Sequence, residues 1–111
     1  MRTPMELCFQ GIAIATLSNC LIEWPRNDST YSILDDNDAQ VLEYIEMSIA
    51  HSKLVDSGTD EELKAFVKNE ERKFLYMIES EEWTIIDSAG NEFGILAPIF
   101  HPNNYVVWME R

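Results

Sequence analysis

An α+β fold, three helices packed on a C-terminal three-stranded antiparallel sheet with room for one extra short strand, is predicted by three observations. Apolar residues recur at helical spacing through most of residues 4–80, the period changes to that of strands from Trp83 onward, and Asp, Gly and Asn turn signals separate the strand-like stretches. A length of 111 residues falls in the range of one domain, so residues 1–111 are read as a single small unit.

Thr3, Pro4 and Glu6 fit an N-cap, a first-turn proline and a capping-box acid, which predicts a helix from Pro4 to about Leu21. Met5, Cys8, Phe9, Ile12 and Thr16 would line one side, with Leu7, Ile14 and Leu21 along another. Gly11 allows a second reading, because "CFQGIAIATL" and "CLIEW" also satisfy a short β pattern with a break between them. Pro25 ends whichever element precedes it. "NDSTYSILDDND" reads as a loop with a short strand at Tyr31–Leu34.

Asp36 or Asp38 then caps a second helix running to about Leu54, with Val41, Leu42, Ile45, Ile49 and Ser52 on its inner face, and "DSG" stops it. Thr59 to Glu62 is a further capping box. Leu63, Phe66, Val67, Phe74, Met77 and Ile78 continue the helical spacing to about Ser80, which makes an antiparallel helix pair joined by a short turn. "WTIID", "EFGILAP" and "YVVWM" follow as three strands, with "DSAGN" and "HPNN" as turns and Pro98 at a strand end or edge.

Composition narrows function by exclusion. Hydrophobic residues are 46% of the chain and charged residues 25%, which is enough apolar material for a core. Twenty acids against eight Lys and Arg give a net charge of -12, and ten of those acids lie between residues 28 and 62 with Lys53 as the only base there. A field of that sign repels phosphate backbones and anionic lipid, so neither direct nucleic-acid binding nor membrane association is expected. Lys64, Lys68, Arg72 and Lys73 alternate with Glu61, Glu62, Glu70 and Glu71, the pattern of a salt-laced helix face. No run is apolar enough for a membrane span, and Glu6 and Gln10 interrupt the N-terminal segment as a signal peptide. Cys8 and Cys20, placed in one helix, would sit about 18 Å apart, too far for a disulfide, which favours reduced thiols and a cytoplasmic setting.

The chemistry-bearing residues do not assemble into a motif. "DDNDAQVLEYIE" has Gln40 where a calcium loop needs glycine and Ala39 where it needs a ligand. His51 and His101 are far apart in sequence, and no glycine cluster could cradle a phosphate. Neither a metal nor a cofactor is expected. Catalysis would require His101 beside Cys8 or Cys20, His51 beside a carboxylate, or Glu43 and Glu46 acting as a pair, and no spacing brings these together.

The concentrated acids remain. Asp35, Asp36, Asp38, Glu43, Glu46, Asp56, Asp60, Glu61 and Glu62 would lie around one helix pair, with Tyr31, Tyr44 and Trp24 as aromatic anchors for a partner. The expectation is an acidic stoichiometric protein-binding module for a basic protein, in the manner of an immunity protein, antitoxin or inhibitor that blocks a nucleic-acid-acting enzyme or toxin. The alternatives are a structural or regulatory homo-oligomer joined through the edge of the C-terminal sheet, and a small hydrolase. Acidity that serves only to keep the chain dispersed is the competing account of the charge.

Overall fold

The computed structural model describes residues 5–23, 26–34 and 37–111, with Asn19 and residues 21–23 described by backbone alone. Their order is β1 (Met5–Phe9), β2 (Ile12–Glu23), β3 (Arg26–Ile33), α1 (Ala39–Ser57), α2 (Asp60–Asn69), a 3-10 turn (Glu71–Phe74), α3 (Leu75–Ile78), β4 (Trp83–Ile86), β5 (Glu92–Gly94), β6 (Ile99–His101) and β7 (Tyr105–Trp108). The strands form one seven-stranded antiparallel sheet in the order β5-β4-β1-β2-β3-β7-β6.

This overturns the expected three-stranded C-terminal sheet and the N-terminal helix. The segment from Met5 to Glu23 is a hairpin, and β1 and β2 lie in the middle of the sheet. Gln10 and Gly11 form its two-residue loop between paired Phe9 and Ile12, with φ of 55° and 77°, the left-handed pair that a type I′ turn requires. Gly11 therefore marks the break between strands. The expected cap at Thr3 and Pro4 lies outside the described residues, as does Pro25.

The helical appearance of this segment has a physical source. Leu7, Cys8 and Phe9 are all buried, so both faces of β1 are covered and polar–apolar alternation disappears. Register shifts between Leu7 and Cys8, and again between Ser18 and Leu21, displace the alternation further.

The middle C-terminal stretch is not one strand. It bends at Leu96–Pro98, pairing first with β4 through β5 and then with β7 through β6. Ile95 also bridges Glu110, Leu96 N–H donates to Met109 O at 2.9 Å, and Arg111 N–H donates to Gly94 O at 3.1 Å. β5 and β6 stand at opposite ends of the sheet order, yet a link of a few residues joins them. The sheet consequently curls round so that its ends meet at this bent segment.

α1 covers the seam from the concave side. Tyr44 touches Trp83 of β4 with ring centroids 5.2 Å apart, Phe100 of β6 at 6.2 Å and Phe74 at 6.2 Å, so one ring contacts both ends of the sheet. Val41, Ile45 and Met47 join Leu7, Ile14, Leu17, Ile85, Ile95 and Val106 in the same buried cluster. Asp38 is the N-cap, accepting from Gln40 N–H at 2.8 Å, and Gly58 ends the helix with its N–H on Leu54 O. Thr59 and Glu62 form the expected capping box of α2.

The helix expected to run to Ser80 instead stops at Asn69 and continues as the 3-10 turn and α3. The break lets Met77 bury completely and present its carbonyl to Trp83 Nε1–H at 2.8 Å. Cys8 and Cys20 lie on separate strands rather than in one helix; both are buried and neither forms a disulfide. No helix among the described residues is long and apolar enough to cross a membrane.

Candidate functional site

A recess of about 680 Å³ opens between α1 and the β6–β7 end of the sheet. Its α1 wall is the stripe Tyr44, Met47, Ser48, His51, Ser52, Val55 and Asp56, positions that recur every three or four residues along one side of the helix. Leu96, Ala97, Ile99 and His101 form the facing wall, Val107 and Met109 come from β7 and its continuation, and Arg26, Glu71 and Ile78 complete the lining.

Hydroxyl groups on the floor are committed to the scaffold. Tyr44 donates to Pro98 O at 2.9 Å, and burial, reinforced by Glu71, pushes its phenol far above the ordinary range. Ser48 Oγ accepts from Phe100 N–H at 2.8 Å, and Ser52 Oγ donates to Phe100 O at 2.9 Å. These serines satisfy the outward-facing backbone groups of β6, which as an end strand has no further strand neighbour among the described residues to bond them.

The titratable groups stand around the apolar floor. His51 Nε2 lies 3.6 Å from Glu71 Oε2, and its ring stacks on Phe66 with centroids 6.0 Å apart. Burial lowers the His101 pKa, Arg26 adds to that effect, and Asp56 and Asp28 oppose it. Arg26 is held by Asp28 at 3.2 Å and reaches the Tyr105 hydroxyl at 3.5 Å. Val55 is 57% exposed, Leu96 48% and Ile99 42%, so the apolar surface continues outward over the lip.

Comparison with protein-family models, curated proteins and solved structures gives no match.

The residues expected to meet a partner fall into distinct places. Glu43 and Glu46 are exposed on α1, and Asp60 and Glu61 are exposed in the first turn of α2. None of the four has an ion-pair partner among the described residues, where the pairs are Arg26–Asp28, His51–Glu71, Lys73–Glu70 and Arg111–Glu81. Asp38 and Glu62 are occupied as helix caps, and Asp56 is at the recess. Tyr31 and Tyr44 are 7% and 3% exposed, which makes them core supports rather than protruding anchors. Trp24, Asp35 and Asp36 lie outside the described residues.

Sequence spacing does not reveal the recess. His51 of α1 joins Glu71 of the 3-10 turn that follows α2, and His101 arrives from the sheet. Neither cysteine lines it. The available signal is the α1 stripe, where serines at an i, i+4 spacing among buried apolar positions imply a backbone partner. No group of three or more His, Cys, Asp or Glu side chains that could hold a metal ion occurs among the described residues.

Proposed function

We propose that this chain is an acidic, stoichiometric binding module for a basic protein, of the immunity or inhibitor kind that blocks a cationic nucleic-acid-acting enzyme or toxin. The observation that carries the reading is the set of exposed carboxylates Glu43, Glu46, Asp60 and Glu61, which have no Lys or Arg partner among the described residues. Carboxylates already paired within the chain would contribute little field. These remain available to attract a cationic surface, within a molecule of net charge -12.

A reducing, cytoplasmic setting fits two buried thiols that form no disulfide. Self-association through a sheet edge has weaker support, because Ser48 and Ser52 already occupy Phe100 N–H and C=O on β6 and Pro98 offers no donor.

The test is capture of a partner from the native cell at low and moderate salt, followed by reconstitution with the purified pair. A basic protein held in a 1:1 complex that weakens with salt is the expected result. Neutral or acidic partners whose complexes ignore salt would contradict the reading.

A further inference from the structure

We propose that the recess between α1 and the β6–β7 end of the sheet binds a small organic cation with an apolar body, of the alkylammonium class. Its volume of about 680 Å³ lies within the usual range for small-molecule sites, roughly 300–1,000 Å³. Met47, Val55, Leu96, Ile99, Val107 and Met109 give it apolar walls that an alkyl or aryl body would cover.

Charge selects the head group. The hydroxyls of Tyr44, Ser48 and Ser52 are engaged by the backbone of Pro98 and Phe100, so they offer a ligand no free donor. Among the described residues Arg26 is the one Lys or Arg of the lining and is paired with Asp28 at 3.2 Å, while burial lowers the His101 pKa. Asp56 and Glu71 are the two lining carboxylates, and His51 lies 3.6 Å from Glu71. With the imidazoles neutral, the two carboxylates outnumber Arg26 and the lining is net negative. A carboxylate or phosphate would meet repulsion, and a neutral apolar molecule would gain nothing from Asp56. An ammonium group answers both, donating to Asp56 while its body lies on the apolar walls.

This site is separate from Glu43 and Glu46, the α1 carboxylates proposed to attract a protein partner. Taking the whole α1 stripe from Tyr44 to Asp56 as the recess face, a turn of about 100° per residue sends Glu46 out on nearly the opposite side and Glu43 well away from it.

Titration with n-octylammonium, n-octanoate and n-octanol, followed by calorimetry and amide chemical shifts, tests the proposal. Saturable 1:1 binding of octylammonium is expected, with shifts confined to residues lining the recess, octanol binding more weakly and octanoate failing to bind. Asp56 is exposed and makes no hydrogen bond among the described residues, so Asp56→Asn should fold normally and weaken octylammonium about tenfold. Leu96→Trp, which crowds the mouth, should weaken it as well. The double variant Glu43→Gln with Glu46→Gln should bind octylammonium unchanged, even though it slows association with a protein partner. Octanoate binding as tightly as octylammonium, unchanged affinity in Asp56→Asn, shifts spread over the whole molecule, or no saturable binding at all would each overturn the assignment.

Discussion

Ser48 and Ser52 show how single hydroxyls close a sheet edge. Replacing Ser48 by an apolar residue would leave Phe100 N–H buried without its acceptor, whereas replacing Ser52 would leave Phe100 O with only the longer bond from Ser48 Oγ at 3.4 Å. Ser48→Ala is expected to lower stability by about 1–3 kcal/mol in urea unfolding, the cost of an orphaned backbone group, and Ser52→Ala by about 1 kcal/mol, because Ser48 Oγ still reaches Phe100 O. The double variant should lose more than the sum of the two, since each serine alone still supplies a hydroxyl to Phe100 O and only their joint removal leaves that carbonyl without one. Tyr44 adds a pH signature. Its folded-state pKa is raised by burial, so the stabilisation is fully present below the ordinary phenol value of 10.0 and is lost as pH climbs above it. Tyr44→Phe should cost about 1 kcal/mol at neutral pH through the bond to Pro98 and should flatten the alkaline fall in stability. An equally steep alkaline limb in the variant would assign that fall to the other tyrosines.

Among the elements, the β1–β2 hairpin is where sequence and structure part most clearly. α1, its Asp38 cap, the capping box of α2 and the Asp87–Asn91 turn are legible because caps and turns are short-range chemistry. Asp87 accepts from Ala89 and Asn91 N–H, and Gly90 takes the positive φ of 87°. The N-terminal strands are hard to read, since burial on both faces of Leu7–Phe9 and two register shifts erase the period of two. The bend at Leu96–Pro98 is equally hidden, because only long-range pairing with Met109–Arg111 divides the segment. The recess depends on that same bend, which is why the sequence offers its residues only one at a time. Gln10 supplies a prediction at this scale. A non-glycine residue in the left-handed region costs roughly 1–2 kcal/mol, so Gln10→Gly should raise stability by up to about 1 kcal/mol in denaturant unfolding, after the extra freedom of glycine in the unfolded chain is subtracted. A loss of stability would mean that the Gln10 side chain does more than occupy the turn.

At the scale of the whole molecule, core and charge occupy different regions. The curled sheet and α1 bury Trp83, Phe100 and Trp108, and the exposed carboxylates of α1 and α2 are left to the surrounding solvent. Caps complicate any test of that charge, because neutralising Asp38 or Glu62 would also loosen a helix end. Glu43, Glu46, Asp60 and Glu61 make no ion pair or side-chain hydrogen bond among the described residues, and of these only Asp60 and Glu61, in the first turn of α2, also support a helix end through their charge. The most direct measurement is therefore the association rate of the reconstituted complex across a salt series, for the natural chain and for a variant combining Glu43→Gln, Glu46→Gln, Asp60→Asn and Glu61→Gln. The natural chain should associate fast and slow steeply with salt. The variant should associate about tenfold more slowly at low salt, with a flatter salt dependence and little change in dissociation. Equal association rates and equal salt slopes for the two chains would contradict the proposed steering by these carboxylates.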